Sequence, residues 1–171
     1  INIINQFVGI EEIKELVIKY LFLFFNDPES FETLHKSVLI IGKSDTGKTV
    51  ISKCLARIFG LLTNSVPKSI YVYSEFVCEY DFSRKIYQID NMDNLGYSYD
   101  TNTPLFIGGL NILLDTKYHI LVATCELDYY EKTFSQNFSK ITEKFVHIVY
   151  LNEHTDNQLF DIYRKEIEQK S

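Results

Sequence analysis

The sequence has no tryptophan, a single methionine, and only three prolines, seven glycines and three cysteines in 171 residues. The cysteines, Cys54, Cys78 and Cys125, are odd in number and far apart. That excludes a disulfide framework and a zinc site, and it fits free thiols in a reducing compartment. Long apolar runs are missing as well. The most apolar stretch, residues 16–25, carries Lys19 and is too short to span a bilayer. No signal-peptide pattern is visible. Basic charge is also scarce: 17 Lys and Arg stand against 23 Asp and Glu, for a net charge of −6 and a pI of about 5.2. A basic face for sequence-independent nucleic-acid binding is therefore not expected. His35, His119, His147 and His154 are scattered, without metal-ligand spacing, and read as structural or surface residues. Ile, Asn, Lys, Tyr and Phe are abundant, a bias that matches an AT-rich genome. The chain opens on Ile1 rather than Met, which suggests a piece of a longer product.

What is present points to a folded domain. Hydrophobic residues make up 46% of the chain, too many for disorder. The length suits one domain, which buries about 70% of the surface of its unfolded chain. Residues 37–49 read Ser-Val-Leu-Ile-Ile-Gly-Lys-Ser-Asp-Thr-Gly-Lys-Thr. The short β-branched run at 38–41 suits a buried parallel strand. Gly42, Gly47, Lys48 and Thr49 then complete the phosphate-loop pattern G-x-x-x-x-G-K-[ST]. Four residues between the glycines, Lys43, Ser44, Asp45 and Thr46, let backbone N–H groups curl around a phosphate chain. Gly47 permits the sharp turn into a helix whose N-terminus favours anions. Lys48 is placed to reach the β- and γ-phosphates, and the Thr49 hydroxyl to ligand Mg²⁺.

Around this loop, apolar residues at helical spacing predict a helix from Ile10 to Phe24, stopped by Asn26, Asp27 and Pro28, and a second after the loop from Val50 to Leu61, capped by Gly60 or Asn64. Strands are expected at 70–73, 86–89, 119–124 and 145–151, and helices at 104–114, 127–144 (in two pieces) and 156–168. Residues 91–103 read as a polar loop. Alternating strands and helices predict an α/β fold: a five-stranded parallel sheet with helices on both faces, the P-loop NTPase fold. A phosphate loop needs an acidic partner for Mg²⁺ at the end of a neighbouring strand, and Ile86-Tyr87-Gln88-Ile89-Asp90 supplies Asp90. Gln88 inside that strand requires a hydrogen-bond partner. Many hydrolytic P-loop proteins place Glu directly after this Asp. Here Asn91 follows, and an amide holds a water without accepting its proton.

Further segments resemble AAA+ ATPases. Residues 7–13, which include Val8 and Gly9, are similar to the V-G-x-x-x-x-I segment that holds adenine in that family. Residues 122–132, Val-Ala-Thr-Cys-Glu-Leu-Asp-Tyr-Tyr-Glu-Lys, resemble the A-T-T-x-x-E-Y segment of Clp chaperones. Residues 141–145, Ile-Thr-Glu-Lys-Phe, stand where that family has L-E-R-R-F. The resemblance implies a single large α/β subdomain of a Clp-type ATPase over residues 1–171, with its helical lid missing. It implies ATP or ADP with Mg²⁺ as cofactors, other ATPase subunits of a hexameric ring as partners, and a possible Clp peptidase and protein clients. Thr124 is then the sensor of the γ-phosphate. Asn91 stands at the catalytic glutamate position, and Glu143 and Lys144 replace two arginines that act in trans. These departures imply binding with impaired hydrolysis, unless another carboxylate such as Asp93 compensates; a nucleotide-free assembly role is the remaining alternative. The family's threading segment is absent, and Tyr80 is a weak counterpart of its pore aromatic. A Clp identity together with the AT-rich bias suggests a plastid, of the apicoplast kind.

Overall fold

A computed structural model describes residues 9–71, 85–96 and 103–170. Val8, Cys78 and Tyr80 lie outside the described residues.

Helix α1 (Glu11–Asn26) opens with Glu11 and Glu12 in its first turn, where negative charge complements the helix dipole. It buries Ile13, Leu16, Val17 and Tyr20. Asp27 ends α1, its N–H donating to the Leu23 carbonyl, and caps the next helix by accepting the Ser30 N–H at 3.0 Å. That helix, α2 (Pro28–Thr33), has proline at its first turn, where no amide hydrogen is missed. The segment between α1 and the first strand is thus helical up to Thr33.

Strand β1 (Lys36–Gly42) is buried at every residue and begins earlier than the apolar run indicated. Lys36 is inside because its long side chain carries the ammonium out to the Leu34 carbonyl, at 2.7 Å, and over the Phe31 ring, at 4.6 Å. Helix α3 (Lys48–Thr63) follows the loop and ends at Asn64, whose left-handed backbone (φ 49°) donates its N–H to the Gly60 carbonyl. The remaining elements are β2 (Lys68–Tyr71), β3 (Ile86–Asp90), a 3₁₀ turn (Met92–Gly96), α4 (Thr103–Asp115), β4 (Ile120–Glu126), β5 (His147–Leu151) and α8 (Asp156–Lys170). Between β4 and β5 the expected two-piece helix is four short segments: α5 (Leu127–Tyr129), a π turn (Tyr130–Phe134), α6 (Ser135–Asn137) and α7 (Ser139–Thr142).

The five strands form one parallel sheet in the order β2-β3-β4-β1-β5. Alternation along each strand divides the core into two layers. Val38, Ile40, Ile86, Val122 and Val149 face α1 and α3. Leu39, Ile41, Tyr87, Leu121 and Cys125 face α4 and the broken helix. Helices on both faces of a parallel sheet are what the strand–helix alternation predicted. Between β4 and β5 the strand order reverses around β1, and the crevice outside the carboxyl ends of strands at such a point is where ligands bind in open α/β sheets.

Candidate functional site

The loop after β1 opens into that crevice. Gly42 has no room for a side chain: a Cβ there would lie 2.8 Å from Thr46 Oγ1 and 3.0 Å from the Leu151 carbonyl oxygen. Asp45 (φ 63°) and Gly47 (φ 84°) are left-handed, and these reversals fold the loop over the start of α3. Thr46 Oγ1 donates to the Lys43 carbonyl at 2.8 Å and pins the turn. Lys48 is buried, and its ammonium donates to the carbonyls of Gly42 (2.7 Å) and Lys43 (2.6 Å) and to Glu126 Oε2 (3.1 Å). The other carboxylate oxygen of Glu126 accepts the Ser44 backbone N–H at 3.1 Å. An anionic group therefore already sits on the loop's donors. Lys43 extends outward to Glu153 at 2.8 Å, and the exposed pair holds its ammonium above the usual lysine range.

The second half of the site converges on Asp90, which is buried at the end of β3. Its Oδ1 accepts from Thr49 Oγ1 at 3.0 Å and from Thr124 Oγ1 at 2.7 Å. Thr124 Oγ1 in turn accepts the Asn91 backbone N–H at 2.9 Å. Three segments distant in sequence are thus tied at one carboxylate. Asn91 is left-handed (φ 57°) and exposed, a conformation that asparagine tolerates better than most residues. The turn it starts is anchored by buried Met92 and carries Asp93, whose Oδ1 accepts the Glu126 N–H at 3.2 Å. The expected partner of Gln88 is Ser52: the amide donates to Ser52 Oγ at 3.0 Å, and Ser52 donates to the Thr49 carbonyl. The amide oxygen of Gln88 is buried without a partner.

Most of the residues singled out in the sequence meet here: Gly42 to Thr49, Asp90, Asn91 and Thr124. Gly9 comes to the same end of the sheet by a different route. Its backbone is left-handed (φ 75°), and a Cβ there would lie 2.8 Å from Gln158 Nε2 of α8, the helix that follows β5. Lys144 is not brought to this loop. It lies near the amino end of β1, where the Ser37 hydroxyl contacts its carbonyl at 3.4 Å, and its ammonium is held by Asn111 Oδ1 and Asp115 Oδ1, both at 2.7 Å. One carboxylate at the crevice, Glu126, carried little signal. Glu126 lies two residues beyond the strand expected at 119–124, and only the register Gly42↔Glu126 reveals that it faces the loop. Asp93, the carboxylate that the sequence offered in place of the base missing at Asn91, comes to the same crevice through its contact with the Glu126 N–H.

The histidines are spread through the structure. His147 Nε2 is 3.0 Å from the Tyr20 hydroxyl, and the His119 ring packs edge-on against Tyr87. Among the described residues no group of three or more His, Cys, Asp or Glu is placed to hold a metal. A Mg²⁺ bound chiefly through nucleotide phosphates needs only one or two protein ligands, and Thr49 with Asp90 fits that demand. Cys54 and Cys125 are buried free thiols. No helix among the described residues is long and apolar enough to cross a membrane.

No family model matches the chain, and no curated protein matches it. Solved structures do match. The chain is similar to PCH-2 from C. elegans at 15% identity, with a TM-score of 0.59, over 93% of this chain and 46% of that one. It is similar to a chain of the HORMA:CdnC:Trip13 complex from E. coli MS115-1 at 12% identity, with a TM-score of 0.62, over 96% and 70%. It is similar to AMPPCP-bound DnaA from Aquifex aeolicus at 17% identity, with a TM-score of 0.63, over 94% and 52%. It therefore spans about half the length of the PCH-2 and DnaA chains. At these identities the likeness is one of fold, the P-loop α/β fold of AAA+ proteins.

Proposed function

We propose that the chain is an adenine-nucleotide-binding module of the AAA+ kind, working with Mg²⁺ and beside other ATPase subunits in a ring, with hydrolysis impaired. The observation that carries this reading is the convergence of Lys48, Thr49, Asp90 and Thr124 on one crevice, with an oxyanion already seated on the loop. The Glu126 carboxylate rests on the Ser44 N–H and the Lys48 ammonium, so these donors accept the kind of group that a phosphate presents. The AMPPCP carried by DnaA on the same fold adds support.

In this reading Gly42 to Gly47 wrap the phosphates and Lys48 neutralises them. Thr49 and Asp90 hold Mg²⁺, which when bound supplies charge neutralisation across the phosphate oxygens. Thr124, fixed by Asp90 and Asn91, senses the terminal phosphate. Gly9 and Val8 belong to the adenine side. Asn91 offers no base, and loss of a positioned base costs about 10²–10⁴ in rate. The Clp-type assignment, with a peptidase and protein clients as partners, rests on residues 122–132 and 141–145 and is the finer part of the proposal. A second reading is favoured by one contact: Asp93 reaches the end of β4, and a carboxylate there supplies the base that Asn91 lacks.

A titration with a fluorescent ATP analogue and Mg²⁺ tests binding, and Lys48→Ala is expected to abolish the signal. Turnover in the assembled ring tests the rest. Asn91→Glu is expected to raise the rate by about 10²-fold or more. Ordinary turnover by the natural sequence, abolished by Asp93→Asn, would establish the second reading instead.

A further inference from the structure

The Glu126 carboxylate does more than occupy the crevice, because its two oxygens use the loop's own donors. Oε1 takes the Ser44 N–H at 3.1 Å, Oε2 takes the Lys48 ammonium at 3.1 Å, and the Ser44 hydroxyl stands 3.5 Å from Oε2. The ammonium has three hydrogens, and the carbonyls of Gly42 and Lys43 take two of them. The third is the one left for a ligand, and Glu126 has it. The carboxylate's position is built into the sheet: Glu126 pairs with Gly42 in the β1–β4 ladder, and its own N–H is fixed by Asp93 at 3.2 Å. The side chain is nevertheless 28% exposed, so it has a way out towards solvent. A phosphate and a carboxylate cannot share these donors, since like charges at contact distance repel.

We infer that Glu126 is an internal competing anion that closes the phosphate loop and must be displaced before a nucleotide binds. This inference rests on the nucleotide-binding reading and adds a regulation of that site. Only the loop molecules with the carboxylate swung out are competent, so the apparent affinity falls by the competent fraction. Ligands with a chain of phosphates replace both contacts at once. A single phosphate offers less in exchange, so Glu126 also sets a minimum ligand charge.

The test is calorimetric titration of the natural chain and of Glu126→Gln, Glu126→Ala and Glu126→Asp with Mg²⁺-ADP, and with inorganic phosphate as the small anion. Thermal melts identify which variants are folded, and the aspartate variant keeps the charge while withdrawing it by one methylene. In the folded variants ADP affinity is expected to rise roughly tenfold, as for a loop closed about nine times in ten, and the gain for phosphate is expected to be at least as large. Binding of ADP by the variants but not by the natural chain would be the same result in its extreme form. Unchanged or weaker ADP binding in every folded variant overturns the inference while leaving nucleotide binding intact. Absence of binding in the natural chain and in all folded variants overturns the nucleotide reading, and this inference with it.

Discussion

Thr124 shows what a single hydroxyl does in this molecule. It donates to Asp90 at 2.7 Å and accepts the Asn91 N–H at 2.9 Å, with no exposure to solvent. Thr124→Val keeps the shape and removes both bonds. A hydrogen bond to a charged group contributes about 1.5–3 kcal/mol, so chemical denaturation is expected to show a loss of that size, with Thr124→Ser recovering much of it. Residues such as Gly42, Lys48 and Asp90 were legible in the sequence because each belongs to a local pattern whose spacing has a chemical reason. Glu126 was not, because what matters about it is its neighbour across a ladder. Lys36 was missed for another reason: a lysine reads as the edge of a strand, and only its path over Phe31 to the Leu34 carbonyl lets it enter one.

Elements were read well where periodicity is long and clean. Helices α1 and α3 each carry one apolar stripe, and their extents follow it. Residues 127–142 were harder. Tyr129 and Tyr130 are adjacent in sequence yet both buried, together with Phe134. A regular α-helix turns consecutive side chains about 100° apart, and the wider π turn brings all three against the core. A contact between elements makes a further measurable feature: the Tyr20 hydroxyl of α1 meets His147 Nε2 at the start of β5 at 3.0 Å. Burial pushes the Tyr20 hydroxyl up to about 12, so it remains a donor. Burial, with the charge of Lys19, lowers His147 below the ordinary 6.5. Burial likewise lowers His35, whose Nε2 is buried without a partner. A histidine whose folded value is depressed binds protons more readily in the unfolded chain. Its contribution to stability is therefore full above about 6.5 and is lost as pH falls towards the folded value. Denaturant midpoints measured between pH 7.5 and 5 are expected to fall with pH, and His147→Gln to flatten that slope.

At the scale of the molecule, the fold class was legible because alternating strand and helix patterns allow few solutions. The strand order was not, since each strand segment reads alike wherever it sits in the sheet. That order puts β1 in the interior, with both faces covered and the loop at the reversal point. Leu39, fully buried in β1, sits in the layer shared by α4 and the broken helix. Leu39→Ala is expected to cost about 2–5 kcal/mol. Chemical denaturation with two probes, one per layer, is expected to show a single transition for both, because the two layers share one sheet.

Thr124 and Cys125 are neighbours in β4 that point to opposite faces, the hydroxyl towards Asp90 and the thiol into the apolar layer. The pleat thus assigns their chemistry by parity. One residue inserted upstream within β4, with the start of the strand still pinned to β1, would turn both to the opposite face, carrying the sulfur to the site side and burying an oxygen among hydrocarbon side chains. Such an insertion would take the Thr124 hydroxyl away from Asp90 while leaving every residue type in place.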